Sequence, residues 1–319
     1  MLNTKNFSIW ADFIERDFVQ NDLLELIKTS TVQGATSNPA IFKSAFSSST
    51  AYAEDKAKSN LSKKDLYEYL AIKDIQNACD AFSETHKNNP NDGFVSLEVD
   101  PSLANDTQGS IDEGISLHKR VNRENLMVKI PATTAGYIAM QKLLSLGINV
   151  NATLIFNIDQ VENILKAYKE SNSTSSLVIS IFISRFDREL DPLLPTELKG
   201  KAGIYNGASC YNLIQKSGFK NVRTLFASTG VKGDDYIPSY YVDELIGEDV
   251  VNTAPIATID AFVKNGATES KLPIAQETLD QFFLELEKNG VDFNAVSKKL
   301  LNDGLEQFEE AFEQILQSL

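Results

Sequence analysis

Short β-like runs alternate with longer helical patterns along the chain, and this alternation limits the fold more than any other feature. It is typical of βα units, whose strands lie side by side in a parallel sheet. The candidate strands cover residues 8–11, 34–37, 94–99, 126–130, 149–154, 177–183, 222–227 and 250–252. About eight βα units in 319 residues favour an α/β fold with a single (β/α)8 TIM barrel, and a doubly wound sheet is the alternative.

The whole chain, residues 1–319, is predicted to form one domain, because no repeat, low-complexity linker or charge block divides it. Two segments are expected to be additions to the barrel: a proline-rich excursion at residues 187–208 and a helical extension from about residue 275. The apolar stripe of the last helix consists of Leu301, Leu305, Phe308, Phe312, Ile315 and Leu319. Because this stripe is short, packing across the barrel exterior or mouth is favoured over a dimer coiled coil.

The composition excludes several classes of protein. A formal net charge of −14 argues against non-specific binding to nucleic acid or to anionic membranes. No apolar run is long enough to span a bilayer, and the first residues lack the basic start and apolar block of a secretory signal. Two cysteines, Cys79 and Cys210, fit a reducing cytoplasm, and His86 and His118 without a cysteine cluster make a zinc site improbable. A monomer and a homodimer both remain open.

A lysine, Lys129, lies inside the hydrophobic run "LMVKIP" that is predicted to be the fourth strand. Because successive strand side chains point to opposite faces, Lys129 shares one face with Met127, while Val128 and Ile130 share the other. Neighbouring strands likewise have one apolar face and one face that carries polar groups. The second face includes Asp12, Ser96, Glu98, Asn151, Thr153, Ser180 and Phe182. We expect the apolar faces, with Leu154 of the fifth strand, to pack on the helices and the polar faces to converge on the barrel axis.

A polar barrel interior needs a reason, because barrel interiors are normally filled by branched apolar side chains. One explanation is structural: buried polar groups that only satisfy one another, together with a strand-end lysine that reaches solvent. The other explanation is a functional site. The convergence of an amine, two carboxylates and several hydrogen-bonding groups favours the functional site.

These groups permit a specific chemistry. An amine held out of water against apolar walls loses proton affinity, and a neutral lysine can attack a ketone to form a Schiff base. Glu98 and Asp12 offer an acid and a base on two other strands. The groups that can bind sugar hydroxyls are Asn38, Asn151, Thr153 and Ser180. This set predicts a site for a polyhydroxy carbonyl compound that needs neither a metal nor an organic cofactor.

Two long motifs resemble the signatures of the transaldolase family, in the same order. "GATSNPAIF" (34–42) resembles the family's turn after the second strand, and "LMVKIPATTAGYIAMQKL" (126–143) resembles its segment around the Schiff-base lysine. Further segments that resemble the family are "SLEVDPSLANDT", "GINVNATLIFN" and "ISIFISR". The resemblance extends from about residue 8 to about residue 260, which is most of the chain.

The resemblance implies a single α/β barrel that transfers a dihydroxyacetone unit in the non-oxidative pentose phosphate pathway. The donor would be sedoheptulose 7-phosphate or fructose 6-phosphate, and the acceptor would be glyceraldehyde 3-phosphate or erythrose 4-phosphate. By position, Lys129 would form the Schiff base, and Asp12 would deprotonate the hydroxyl beside the scissile bond. Glu98 would move protons through a water held by Thr153. The residues that would hold the dihydroxyacetone hydroxyls are Asn38, Asn151 and Ser180.

The phosphate groups of both substrates must be bound despite the negative net charge. The resemblance points to Arg185, just after the sixth strand, and to Ser228 and Lys232 in the loop "ASTGVKG". Many family members carry an arginine in this loop, so Lys232 departs from the pattern, and a lysine is a point charge rather than a planar fork. A solvated loop lysine is the alternative interpretation of Lys232.

Two other functions remain as alternatives. A fructose 6-phosphate aldolase shares the barrel and the lysine, but that subgroup is shorter and carries glutamine in place of Glu98 and tyrosine in place of Phe182. A non-catalytic barrel that binds sugar phosphates would be expected to lose Lys129 or the carboxylates, and all of them are present. The sequence therefore favours the transferase over both.

Overall fold

The strands of the protein form one closed parallel barrel. The structure, a computed structural model, describes residues 4–319. The strands are β1 Ser8–Ala11, β2 Gly34–Thr36, β3 Val95–Glu98, β4 Leu126–Pro131, β5 Val150–Ile155, β6 Leu177–Phe182, β7 Val222–Ala227 and β8 Val250–Ala254. Each strand pairs with its neighbour in sequence and β8 pairs with β1, so the predicted TIM barrel is confirmed and the doubly wound alternative is wrong. The predicted strand ends differ from the observed ends by at most two residues.

Helices connect the strands and surround the barrel. They are α1 Arg16–Gln20, α2 Asp22–Lys28, α3 Pro39–Ser48, α4 Ala53–Lys58, α5 Lys63–Ala81, α6 Ser83–Asn88, α7 Thr107–Val121, α8 Thr134–Ser145, α9 Ile158–Ser171, α10 Ser184–Leu190, α11 Ala202–Ser217, α12 Tyr240–Glu244, α13 Ile256–Asn265, α14 Gln276–Lys288 and α15 Phe293–Ser318. The side chains of Asn38, Thr133 and Asn157 cap α3, α8 and α9. Because these caps satisfy free N–H groups of the first turn, the three helices begin close behind their strands.

The two faces of the strands belong to different apolar clusters, as the alternation predicted. The outward residues Val128 and Ile130 of β4 pack with the surrounding helices in one cluster. The inward residues Trp10 of β1 and Met127 of β4 belong to a second, inner cluster that joins the barrel interior to residues of α10, α14 and α15. Lys129 shares the inward face of β4 with Met127, so its side chain is directed into the barrel.

Leu154 is an exception: the prediction that it packs on the surrounding helices together with Val150 and Ala152 is wrong, and it lies against α15 instead. The register between β5 and β6 shifts between Ala152 and Ile155, and Leu154 has a φ of 58° in the left-handed region. This irregularity places Leu154 in the inner cluster and leaves Ile155 in the outer one. Strand irregularities of this kind re-aim side chains and occur next to active sites.

A buried ion pair closes the N-terminal end of the barrel. Arg223, near the start of β7, lies 3.1 Å from Asp92 Oδ1 and donates to the backbone oxygens of Asn91 and Asn6 at 2.7 Å. It also donates to Ser8 Oγ at 3.0 Å. The rigid fork of the guanidinium can serve several acceptors at once, so Arg223 ties three separate segments together. Protein groups therefore fill this end of the barrel, whereas TIM barrels carry their active sites at the opposite, C-terminal end.

Residues 187–208 are not the continuous excursion that the sequence predicted. Their first residues end α10 and their last residues begin α11, so only residues 191–201 connect the two helices. Within this connection, Asp191 accepts hydrogen bonds from the Gly200 N–H and from the Tyr236 hydroxyl, each at 2.8 Å. Because α11 is the crossover helix between β6 and β7, much of the predicted addition belongs to the barrel itself.

A buried carboxyl group links α10 to α11. Asp187 is 1% exposed, and its Oδ1 accepts a hydrogen bond from the Gly203 N–H at 3.1 Å. Its other oxygen, Oδ2, accepts no hydrogen bond of good geometry among the described residues, although the Tyr241 side chain lies close enough to act on the carboxyl group. Burial raises the pKa of Asp187 to about 7, and the nearby Asp191 also raises it. The ionised form of Asp187 is therefore disfavoured in the folded protein.

Asp187→Asn is expected to make the protein more stable at high pH. The folded-state pKa of Asp187 lies above the unfolded value, so the folded protein binds more protons, and the free energy of unfolding falls as pH rises between the two values. The variant lacks this loss, so its advantage over the wild type should grow by about 1.4 kcal/mol per pH unit between roughly pH 4 and pH 7 and then level off. Urea unfolding of both proteins at pH 4.5, 6 and 8 measures this difference. A difference that does not change with pH would contradict the prediction.

The last helix lies across the C-terminal end of the barrel. Lys299 of α15 lies 3.1 Å from Glu189 of α10, whereas Phe312, further along α15, packs edge-on against Tyr67 of α5 at 4.9 Å between ring centroids. The apolar stripe thus packs on the protein's own barrel, as predicted, and α15 also contacts α3 and β5. Among residues 4–319, no helix combines the length and the apolar character that crossing a bilayer requires.

Candidate active site

Lys129 and Glu98 form a buried ion pair between neighbouring strands. The register of β3 on β4 sets the two residues side by side. Lys129 Nζ lies 3.2 Å from Glu98 Oε2 and donates a hydrogen bond to the Ser37 backbone oxygen at 3.1 Å. Lys129 is 5% exposed and Glu98 is 7% exposed, so both charged groups are almost completely removed from water. A buried charge without a partner of opposite sign is energetically costly, so Lys129 and Glu98 depend on each other in this position.

The carboxyl group of Glu98 holds its proton more tightly than an exposed glutamate. Burial raises the pKa of Glu98, and the neighbouring charge of Lys129 opposes this shift. The negative charge of Asp12 raises the pKa of Glu98 further. A carboxyl group whose pKa is moved toward neutrality is suited to give and take protons during a reaction.

Asp12 follows β1 at the same end of the barrel. Its Oδ1 accepts a hydrogen bond from Thr36 Oγ1 at 2.7 Å, and Thr36 also lies 2.6 Å from Thr253 Oγ1. Burial raises the pKa of Asp12, while the charge of Lys129 lowers it. The structure therefore brings both predicted carboxylates within electrostatic reach of the predicted amine.

A cleft of about 650 Å³ reaches Asp12 and is lined in part by Phe13, Phe18 and Pro255. Another cleft, of about 800 Å³, lies beside Phe283 and Phe293 and contains none of the predicted site residues. Size alone therefore does not identify the functional site. The convergence of Lys129, Glu98 and Asp12 does, because it places a buried amine beside two buried carboxyl groups, Glu98 and Asp12, whose pKa values are raised.

Polar side chains of β3, β5 and β6 form a hydrogen-bonded chain along the inner wall. Ser180 Oγ donates to Asn151 Oδ1 at 2.6 Å, and Asn151 Nδ2 donates to Ser96 Oγ at 2.9 Å. All three side chains are buried, so this chain orients the Asn151 amide. Thr153, on the same strand as Asn151, is also buried, and its Oγ1 has no hydrogen-bond partner among residues 4–319. A buried hydroxyl without a protein partner is available to a ligand or to water.

Asn38 caps a helix directly behind the second strand. Its Oδ1 accepts a hydrogen bond from the Ile41 N–H at 3.0 Å, which caps α3. The residue is half-buried, and the Asn38 amide N–H groups make no hydrogen bond within the described part of the chain. The cap fixes the orientation of the amide, so its N–H groups are available to a ligand.

Arg185 provides a cation beside the inner wall. It is half-buried at the start of α10, and its guanidinium carbon lies 5.2 Å from the centroid of the Phe182 ring. Burial lowers the pKa of Arg185 to about 10, and the nearby positive charge of Arg188 also lowers it. Arg185 forms no ion pair within residues 4–319, so an anionic ligand would supply the counter-charge of its guanidinium.

Of the two predicted phosphate-binding residues in the loop after β7, one lies near Arg185 and the other is exposed to solvent. Ser228 is half-buried with a left-handed φ of 56°, and its Oγ lies 3.0 Å from Ser184 Oγ at the start of α10. Ser228 is therefore held beside the helix that carries Arg185. Lys232 is exposed on the same loop, and no ion pair of Lys232 is present in the described chain. The structure thus brings Ser228, but not Lys232, into the wall of the site.

Several groups of the site were not recognisable in the sequence. The Ser37 backbone oxygen binds Lys129, and Thr36 binds Asp12, although both residues lie inside the "GATSNPAIF" motif. Phe308 of α15 approaches the amine as well, with its ring centroid 5.6 Å from Lys129 Nζ. The apolar stripe of the last helix contained Phe308, but nothing in the stripe indicated which residue faces the site. Within residues 4–319, no group of three or more His, Cys, Asp or Glu side chains is placed to hold a metal ion.

Comparison with known proteins shows the family of this chain. The family model described as "Transaldolase/Fructose-6-phosphate aldolase" matches residues 9–319. The chain belongs to this family. A protein named "Transaldolase" from Campylobacter jejuni (strain RM1221) is 43% identical over 335 residues, which cover 99% of this chain and 100% of the relative. A "Transaldolase" from Helicobacter pylori (strain P12) is 40% identical over 315 residues, 98% of this chain and 99% of the relative.

The match confirms the resemblance that the motifs indicated. It also continues past residue 260, where the recognisable motifs end, to residue 319. Helices α14 and α15 therefore lie within the part of the chain that this transaldolase/aldolase family shares. The name of the family covers two enzyme activities, and the Campylobacter and Helicobacter relatives both carry the name of the transferase.

Proposed function

We propose that this protein is a transaldolase. It would transfer a dihydroxyacetone unit from sedoheptulose 7-phosphate or fructose 6-phosphate to glyceraldehyde 3-phosphate or erythrose 4-phosphate, in the non-oxidative pentose phosphate pathway. The observation that carries this proposal is the buried contact of 3.2 Å between Lys129 Nζ and Glu98 Oε2 at the mouth of the barrel. It pairs a nucleophile with a proton carrier on adjacent strands, which is the minimum that Schiff-base catalysis requires.

The reaction would begin at the amine. Lys129 Nζ attacks the ketone carbon of the donor, and loss of water gives an iminium ion on that nitrogen. Glu98 moves the protons of this step through a water held by Thr153. The raised pKa of Glu98 and the free Oγ1 of Thr153 support these roles.

Carbon–carbon cleavage would follow. Asp12 takes the proton from the hydroxyl on the carbon beside the scissile bond, and the electron pair of that bond moves toward the iminium nitrogen. An aldose phosphate leaves, and the dihydroxyacetone enamine stays attached to Lys129. The enamine then attacks the aldehyde of the second aldose phosphate, and hydrolysis of the product imine frees the lysine. The raised pKa of Asp12 supports its role as the base and then the acid.

Binding groups would surround these reacting atoms. The amide of Asn38, the oriented amide of Asn151 and the hydroxyl of Ser180 would bind the hydroxyls of the dihydroxyacetone unit. Arg185 would bind the phosphate together with Ser228, and the half-buried position of the guanidinium favours an anionic ligand. Lys232 would add a second positive charge only when the loop after β7 approaches the phosphate.

The sequence features that favour the transferase over a fructose 6-phosphate aldolase lie in this site. Glu98 is paired with Lys129, and Phe182 lies under the Arg185 guanidinium. A non-catalytic barrel is disfavoured because Lys129, Glu98 and Asp12 are all present and interact. Sugar phosphates are the proposed binding partners, and neither nucleic acid nor a membrane is proposed as one. A cytoplasmic location is a further prediction. The protein is predicted to be a monomer or a homodimer.

Release of glyceraldehyde 3-phosphate from fructose 6-phosphate is expected to depend on the acceptor. Without erythrose 4-phosphate, the enamine has no aldehyde to attack, so release should stop after about one turnover per active site. With erythrose 4-phosphate, release should continue and sedoheptulose 7-phosphate should accumulate in equal amount. A coupled assay of glyceraldehyde 3-phosphate with and without acceptor measures both. Sustained release without acceptor would make the protein an aldolase.

A further inference from the structure

Helix α15 places an aromatic ring over the reactive amine. The ring centroid of Phe308 lies 5.6 Å from Lys129 Nζ, and Phe308 is 7% exposed. Phe308 belongs to the inner apolar cluster together with Leu154 and Phe182, whereas Phe312 on the same helix belongs to the outer cluster. Phe308 of the apolar stripe thus faces the site, whereas Phe312 packs against α5.

A glycine permits the close approach of α15 to the mouth, and one ion pair joins this helix to α10. A Cβ atom on Gly304 would lie 3.0 Å from Leu154 Cδ2 and 3.2 Å from Arg185 Nη1, so this helix turn lies directly against the site wall. Lys299 lies 3.1 Å from Glu189 on α10 and 3.0 Å from Asp303 on α15. The first of these ion pairs joins α15 to α10, whereas the second lies within α15.

We propose that Phe308 keeps bulk water away from the covalent intermediate and thereby sets the ratio of transfer to loss of dihydroxyacetone. This inference rests on the proposed transaldolase function and adds a specificity-determining residue to it. The ring would act by covering the enamine on Lys129 while the acceptor replaces the first product.

The competing reaction needs water at the enamine carbon. Water donates a proton to that carbon, the electron pair of the carbon–carbon double bond forms the new C–H bond, and the nitrogen becomes an iminium. The hydroxide that remains adds to the iminium carbon and gives a carbinolamine. Its hydroxyl proton moves to the nitrogen, the C–N bond breaks as the C=O bond forms, and dihydroxyacetone leaves with the Lys129 amine free. One water is consumed, and no acceptor is used.

Phe308 is suited to suppress this route for two physical reasons. Its ring is apolar and supplies no proton, so it replaces solvent next to the reacting atoms with a surface that cannot protonate carbon. The ring face is also directed at the nitrogen that becomes positively charged in the iminium, and a cation is attracted to an aromatic face. The water that serves Glu98 and Thr153 would lie on the opposite, polar side of Lys129.

A series of substitutions at position 308 tests this inference. Phe308→Leu, Phe308→Val and Phe308→Ala remove progressively more of the apolar cover. The readout is dihydroxyacetone released per sedoheptulose 7-phosphate formed, from fructose 6-phosphate and erythrose 4-phosphate. We expect this ratio to stay near the wild-type value with leucine, to rise with valine and to rise on the order of tenfold with alanine. Phe312→Ala is the matched control, because it removes a buried ring from the same helix on the side that packs against Tyr67.

The control variant should lose stability without a change in the ratio. A ratio that does not depend on the size of residue 308 in the variants that fold would overturn the inference and leave the transferase in place. An equal rise in Phe312→Ala would also overturn it, because general loosening of α15 would then explain the effect. Sustained acceptor-independent release by the wild type would overturn the proposed function instead, and the inference with it.

Discussion

Replacing Lys129 by alanine is expected to abolish turnover and the formation of any covalent adduct with the donor. The amine is the only protein group that bonds covalently to the donor in the proposed mechanism, so kcat should fall by roughly 10⁴-fold or more. The fold should persist, because the variant shortens a side chain and leaves Glu98 without the charge that lowers its pKa. Glu98 should then become neutral instead of remaining a buried, unpaired anion.

Two measurements check the Lys129→Ala prediction. Borohydride reduction in the presence of fructose 6-phosphate, followed by mass spectrometry, should show an adduct on the wild type and none on the variant. The coupled assay with erythrose 4-phosphate should show no turnover. Lys166→Ala is the control, since its side chain on α9 is 71% exposed and takes no part in the site. Turnover by Lys129→Ala at a measurable fraction of the wild-type rate would remove the Schiff base from the mechanism.

Replacing Asp12 by asparagine is expected to separate imine formation from carbon–carbon cleavage. The amide oxygen can still accept the hydrogen bond that Thr36 donates at 2.7 Å, so the geometry should be retained. The amide cannot take a proton from the substrate hydroxyl, and loss of a general base lowers rates by about 10²- to 10⁴-fold. Borohydride should still trap the donor on Lys129, because imine formation does not use Asp12.

The control for Asp12 carries the same change of charge in the same cleft. Asp22→Asn alters an exposed carboxylate that lines the cleft beside Asp12, and it should leave both trapping and turnover unchanged. Wild-type turnover in Asp12→Asn would exclude Asp12 as the base. Loss of trapping in that variant would mean that Asp12 acts already during imine formation.

The sequence was sufficient to place most of the proposed reactive groups on one face of their strands. Lys129, Glu98, Asn151 and Ser180 are directed inward because side chains alternate with a period of two, and this period is a local property of an extended chain. The same alternation, repeated along the chain with helices between, led to the closed barrel that the strand order confirms. The capping of α3 by Asn38 is equally local, since it joins residues three apart.

Predictions from side-chain alternation and local sequence patterns were wrong where the position of a residue depends on contacts with another part of the chain. Leu154 was expected to face the surrounding helices, but the register of β5 on β6 shifts between Ala152 and Ile155. Such a shift depends on how two strands fit against each other, and the sequence of one strand does not encode it. The segment after α10 was likewise taken for an addition because of its prolines, whereas contacts of Asp187 and Asp191 join it to α11 and to the loop after β7.

The sequence by itself thus determined the kind of fold, the face on which the reactive groups lie and the family to which the chain belongs. Only the tertiary structure decided which atoms meet there. It set Lys129 between Glu98 and the Ser37 backbone oxygen, placed Phe308 of the last helix over the amine, and closed the opposite end of the barrel with Arg223 and Asp92. The physical reason is that periodicity and capping act between near neighbours, whereas these contacts join residues far apart in the chain, and only the closed barrel brings them together.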